Sequence, residues 1–137
     1  MRSKDDAIGG IAKKLSGKVA VITGGSTGMG LATAKKFVEE GMDRVFVTGR
    51  RQEVLDSAVV EIGSNASAVQ GDVANLADLD HLYEVVRSSG RKLDVVFANA
   101  GVAQIAPLGS VDEAFFDLHF NANVKGYFSQ CRRPSPC

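Results

Sequence analysis

Residues 18–36, KVAVITGGSTGMGLATAKK, decide how this chain folds. The opening KVAVIT is a short β-branched apolar run that stops at glycines, the pattern of a strand buried on both faces. Leu31, Ala34 and Val38 then recur at helical spacing, and Gly41 stands where a C-terminal glycine ends such a helix. Between strand and helix lies a glycine-rich turn, residues 24–30. Strand, tight turn and amphipathic helix in that order begin a βαβ unit, and the rest of the chain repeats the alternation.

Residues 44–48 (RVFVT) read as a second strand, and Val54, Leu55, Ala58, Val59 and Ile62 mark a second helix closed by Gly63. A third, shorter strand covers 66–70. Asn75 is the expected N-cap of a third helix striped by Leu76, Leu79, Leu82 and Val86. Residues 93–98 (LDVVFA) give a fourth strand. Ser110 and Glu113 have capping-box spacing and open a last helix through Phe115, Phe116, Leu118, Val124 and Phe128. The fold expected is α/β, a doubly wound parallel sheet with helices on both faces. Three regions follow: an N-terminal extension at 1–15, a domain of alternating strands and helices at 16–130, and an atypical tail at 131–137 (CRRPSPC) that lacks apolar periodicity.

Composition fits that picture. The chain has 137 residues, 45% apolar and 23% charged, the mix of a globular domain rather than of a disordered segment. Sixteen basic residues balance sixteen acidic ones, so no excess positive charge draws the chain to nucleic acid or an anionic membrane. No apolar run nears the roughly 20 residues of a membrane span, and residues 1–10 lack the apolar stretch of a secretory signal. A soluble, cytoplasmic protein is expected. Its two cysteines, Cys131 and Cys137, are confined to the tail, which leaves the body without a disulfide or thiolate metal site.

The turn Gly24-Gly25-Ser26-Thr27-Gly28-Met29-Gly30 joins a strand to a helix where a doubly wound sheet offers backbone N–H groups and a positive helix end to a phosphate. A bare glycine-rich connection is the plainer reading, but the flanking strand and helix favour a phosphate site. An ATP or GTP loop would need Lys and then Ser or Thr after its last glycine, whereas Gly30 is followed by Leu31-Ala32. The spacing Gly-x-x-x-Gly-x-Gly leaves a dinucleotide or S-adenosylmethionine as the ligand.

Four motifs in order resemble the short-chain dehydrogenase/reductase family over about residues 15–130. Thr23 to Gly30 resembles its Thr-Gly-x-x-x-Gly-x-Gly cofactor loop, and Asp72-Val73 is similar to the pair whose acid holds the adenine ring. Asn99-Ala100-Gly101 resembles Asn-Asn-Ala-Gly, with Ala98 in place of the first asparagine. Asn123-Val124-Lys125-Gly126 is similar to the helix segment whose asparagine completes a proton relay. The resemblance implies a Rossmann-type fold and hydride transfer between a nicotinamide dinucleotide and a small carbonyl or alcohol, by a homo-oligomer at full length. Among the implied cofactor contacts are Gly24, Ser26, Thr27, Gly28, Met29, Gly30, Asp72, Val73, Asn99, Ala100 and Gly101, with Asn123 as the catalytic member. Without the motifs, Asp72 would read as a turn residue and Asn99 as a strand-end amide. Aromatics of the last helix read as core or subunit contacts, and His81 and His119 as surface or packing residues.

In a sheet of this type an acid at the end of the second strand binds the ribose 2′-hydroxyl of NAD, and arginine accommodates the 2′-phosphate of NADP. Here stand Gly49-Arg50-Arg51 and no acid, so NADP(H) is the preferred cofactor and NAD(H) the other candidate. The competing reading of Arg50 and Arg51 is a solvated charge pair opening the second helix.

The family's catalysis also requires a serine and a Tyr-x-x-x-Lys pair. Tyr83 and Tyr127 are followed four residues later by Arg87 and Cys131, so neither supplies it. The expectation is a fold truncated after the fourth strand and following helix, inactive alone, with the fourth strand an exposed apolar edge. One codon choice for the tail, read one base earlier, gives Val-Gln-Lys-Ala-Leu-Pro-Leu, so CRRPSPC is expected to be an out-of-frame reading. A metal or redox pair of Cys131 and Cys137 is the rival for that segment. A non-catalytic dinucleotide-binding or sensing domain is the rival for the whole.

Overall fold

The computed structural model describes residues 13–132. Most of the expected extension at 1–15, and the expected tail beyond Arg132, lie outside the described residues.

Four strands, β1 (Val19–Thr23), β2 (Arg44–Gly49), β3 (Ala66–Gln70) and β4 (Val95–Ala98), form one sheet in the order β3-β2-β1-β4, every pair parallel. Helices α1 (Gly28–Glu39), α2 (Gln52–Ile62) and α3 (Leu76–Ser88) connect them, as the alternating pattern predicts. Side chains alternate across a strand, so Ala20 and Ile22 of β1 join Val45 and Val47 of β2 in a core with Ala34 of α1 and Leu55 and Ile62 of α2. Val19 and Val21 point the other way and pack with Phe46, Val69 and the α3 stripe Leu79, Leu82, Tyr83 and Val86. All five β1 residues are buried, which is why that strand carries no polar alternation. Burying side chains such as Leu79 and Leu82, each 1% exposed, contributes about 1.5–3 kcal/mol apiece.

The order in which strands are added reverses at β1, with β2 on one side and β4 on the other. That switch point opens a crevice at the carboxyl ends of the strands, where ligands of such sheets bind. β4 lies at the sheet edge, as expected of the fourth strand, but it is half-buried along its length rather than exposed.

The last helical region departs from its expected form in two places. Ser110 is not the cap: it ends a short 3-10 turn (Leu108–Ser110), and its hydroxyl donates to the Pro107 carbonyl. Asp112 caps α4 (Glu113–Phe120) instead, accepting from the Phe115 N–H at 2.8 Å. Beyond α4 the helix widens into a π-helical stretch (Asn121–Gly126) before α5 (Tyr127–Arg132). The widened turn accompanies a side chain committed elsewhere, since Asn123 is bonded to the backbone of Val102. No helix among the described residues is long and apolar enough to cross a membrane.

Candidate nucleotide-binding site

A cavity of about 500 Å³ opens at the strand carboxyl ends. Of the residues singled out in the sequence, Gly24, Ser26, Thr27, Gly28, Met29, Arg50, Arg51, Asp72, Val73, Asn99, Ala100 and Gly101 all line it. Gly30 does not. It lies buried behind the loop, where a Cβ would fall 2.2 Å from the Gly24 carbonyl oxygen, so only glycine lets α1 close on the turn. Gly24 itself has φ +66°, the left-handed conformation that the tight turn needs.

The cavity's electrostatics come from three sources. The first is α1, whose N-cap Thr27 makes no side-chain cap bond and whose first turn holds no acid. Its leading N–H groups therefore keep both their hydrogen-bonding capacity and the positive end of the helix dipole for an anion. The second is the pair Arg50 and Arg51, exposed at the mouth just past β2. The third is Asp72, the one carboxylate among the lining residues. These groups fit a phosphate-rich nucleotide: an uncapped helix end to donate to a pyrophosphate, guanidiniums to donate to a further phosphate, and a carboxylate to accept from a base amino group. Ionisations are shifted on the surface of α1 and at its C-cap, Glu40. Hydrogen bonding to Glu61 raises Lys35, bonding to Glu39 and Glu40 raises Lys36, and bonding to Lys36 lowers Glu40.

A buried polar cluster fixes the crevice floor. The Thr23 hydroxyl accepts the N–H groups of Asn99 and Ala100, both at 3.1 Å, and donates to Gln130 Oε1 at 2.6 Å. Tyr83 donates its hydroxyl to the Gln130 carbonyl at 2.8 Å. Asn99 Nδ2 donates to the Gly24 carbonyl at 3.3 Å, tying the end of β4 to the glycine turn. Thus Asn99 lines the cavity and satisfies local backbone at once.

Asn123 does not line the cavity. Its Oδ1 accepts the Val102 N–H at 2.8 Å and its Nδ2 donates to the Val102 carbonyl at 2.7 Å, a reciprocal latch on the segment after β4. His119 makes a second latch. Its Nδ1 donates to the Phe115 carbonyl, which can only accept, so Nε2 is left to accept the Gln104 N–H at 3.0 Å. Its ring also stacks on Phe115, so His119 packs as expected and holds the loop as well, while His81 is exposed.

Sequence reasoning missed Thr48, Gly49, Gly71, Ala74 and Val102, along with Leu118, Asn121 and Ala122 of the last helical region. The rule that ligands lie beyond the carboxyl ends of the strands would have found Thr48, Gly49 and Gly71. Leu118, Asn121 and Ala122 needed the packing of a distant helix, for which no local signal exists.

Comparison with known proteins gives the same site a lineage. The family model described as short chain dehydrogenase matches residues 18–137. The oxidoreductase asL5 of Sarocladium schorii is 53% identical over 114 residues, covering 83% of this chain and 45% of that protein. Secoisolariciresinol dehydrogenase of Forsythia intermedia is 35% identical over 131 residues, covering 93% of this chain and 47% of that one. Among solved structures, a 3-ketoacyl-(acyl-carrier-protein) reductase from Brucella melitensis complexed with NADH superposes with a TM-score of 0.82 at 33% identity, covering 88% of this chain and 49% of that one. The chain spans about half the length of the relatives it matches.

Proposed function

The chain belongs to the short-chain dehydrogenase family, and from that premise we propose that it binds the adenine and pyrophosphate side of a nicotinamide dinucleotide for an oxidoreductase acting on a small carbonyl or alcohol. The observation that carries the proposal is the uncapped, acid-free N-terminus of α1 facing a cavity of about 500 Å³ lined by the glycine turn. Gly24 and Gly28 bring backbone close to the pyrophosphate, and Ser26, Thr27 and Met29 border it. Asp72 and Val73 take the adenine, and Asn99, Ala100 and Gly101 form the wall toward the nicotinamide side. The bound cofactor would supply the hydride-carrying ring.

NADP(H) is the proposed preference, because Arg50 and Arg51 line the cavity just past β2, where sheets of this type meet the ribose 2′-position, and Asp72, the one lining acid, lies on β3's side of the cavity. Asn123 enters the proposal through the segment it holds: latching Val102 keeps the wall after Gly101 in place. The Tyr-x-x-x-Lys pair implied by the resemblance does not occur in the 137 residues, so these residues alone are proposed to bind without turnover. We likewise propose the division into a segment at 1–15, a nucleotide-binding domain at 16–130 and a tail at 131–137.

Calorimetric titration of the purified chain with NADPH and NADH tests this reading. Saturable binding of both is expected, at least about tenfold tighter for NADPH, equivalent to about 1.4 kcal/mol. Failure of either nucleotide to bind at millimolar concentration would refute it.

A further inference from the structure

We propose that Asp78, which does not line the cavity, is a positioning residue that aims the Asp72 carboxylate and so sets selection for adenine over a 6-oxopurine. The inference rests on the proposed role of Asp72 in holding the adenine.

Asp72 lies between β3 and α3, and its polar groups can be followed one by one. Its N–H donates to Asp78 Oδ2 at 2.9 Å, and its carbonyl accepts the Asn75 N–H at 2.9 Å. Its Oδ1 accepts the Ala74 N–H at 2.9 Å. Only Oδ2 has no hydrogen-bond partner among the described residues, and Asp72 lines the cavity. With the backbone held at both N and O, and one carboxylate oxygen fixed by a short turn, the position of the remaining oxygen is determined.

Asp78 is the third residue of α3, where an acid can reach back to the N-cap residue's own N–H in a capping box. Here that bond is not made: the Asn75 N–H is already given to Asp72. Nor does the helix end depend on Asp78 for its cap, because Asn75 Oδ1 accepts from Ala77 N at 2.9 Å and Asp78 N at 3.3 Å. The Asp78 carboxylate instead crosses to the base-binding segment and takes the N–H that sets the direction of Asp72. A carboxylate oxygen only accepts, so it pairs with the exocyclic amino group of adenine and opposes the carbonyl that replaces it in hypoxanthine.

The test is calorimetric titration of the whole chain and its variants with adenosine diphosphate and inosine diphosphate. Wild type should prefer the adenine nucleotide about tenfold, the size of one charge-assisted hydrogen bond. Asp78→Ala keeps helix propensity but removes the acceptor, and should bring the ratio to within about twofold of unity. Asp78→Asn loses the same charge at the helix end but retains an accepting oxygen, so its ratio should stay within about threefold of wild type. An unchanged ratio in folded Asp78→Ala would overturn the positioning role alone. A wild-type chain with no base preference would overturn the adenine reading and this inference with it. Should Asp78→Ala not fold, hydrogen exchange in wild type decides: the Asp72 amide is expected to be protected at least about a hundredfold, and exchange at the rate of a free amide overturns the proposal.

Discussion

Replacing Thr23 by valine removes one buried hydroxyl and almost nothing else. The two side chains have nearly the same shape, so no cavity opens at this fully buried position, and the cost is that of lost hydrogen bonds. Three bonds meet at that oxygen. The Asn99 N–H also lies 3.0 Å from the Phe97 carbonyl and keeps that partner. The Ala100 N–H and Gln130 Oε1 are left stranded beside a methyl group, at about 1–3 kcal/mol each. The expected loss is therefore about 2–6 kcal/mol, a large part of the 5–15 kcal/mol that stabilises an ordinary domain. In a urea melt followed by far-ultraviolet circular dichroism, with a slope of about 2 kcal/mol/M, the midpoint should fall by about 1–3 M. Thr23→Ser, which keeps the hydroxyl, should lose about 1 kcal/mol for the missing methyl group. A Thr23→Val midpoint equal to that of wild type would refute the claim that this hydroxyl joins β1, the end of β4 and α5.

Three other perturbations follow from the same geometry. Replacing both Arg50 and Arg51 by alanine should abolish a preference for NADPH, weakening its binding by about 10- to 100-fold while leaving NADH within about threefold, as measured by calorimetry. Gly30→Ala places a methyl group against the Gly24 carbonyl, so the turn must open; about 1–3 kcal/mol of stability and most nucleotide affinity should be lost, read from a melt and a titration. Phe116, Phe120, Val124 and Phe128 are between 46% and 66% exposed on the last helical region, and β4 forms the sheet edge. The 137-residue chain should self-associate at micromolar concentration in sedimentation, and a sharp monomer with a cooperative melt would contradict this.

Most of the framework could be read from residue patterns because β1, β2 and β4 are short apolar runs rich in valine and stand between stretches of helical periodicity. The strand at 66–70 agrees in full with β3, and Asn75 caps α3 as its position implies. Boundaries shifted where backbone chemistry prevails over side-chain pattern: α1 begins at Gly28, inside the glycine turn, and β4 begins two residues after Leu93. The Ser110 cap failed because Asp112, two residues on, offers a better-placed acceptor to Phe115. The polar cluster around Thr23 could not be seen in the sequence at all. Its partner Gln130 is 107 residues away, and nothing local distinguishes a glutamine that will be buried against β1 from one on a helix surface. The Asn123 latch on Val102 was half legible: an asparagine among Phe120, Val124 and Phe128 calls for a partner, but only the fold names it.

The central claim is that a nicotinamide dinucleotide lies across the carboxyl ends of the strands, its pyrophosphate on the α1 N-terminus. Amide chemical-shift mapping of the isotope-labelled chain during a titration with NADPH tests it most directly. Saturable shifts are expected, concentrated at Gly24, Ser26, Thr27 and Gly28, at Arg50 and Arg51, at Asp72 and Val73, and at Asn99, Ala100 and Gly101. Shifts confined to the opposite ends of the strands, or none that saturate, would contradict it.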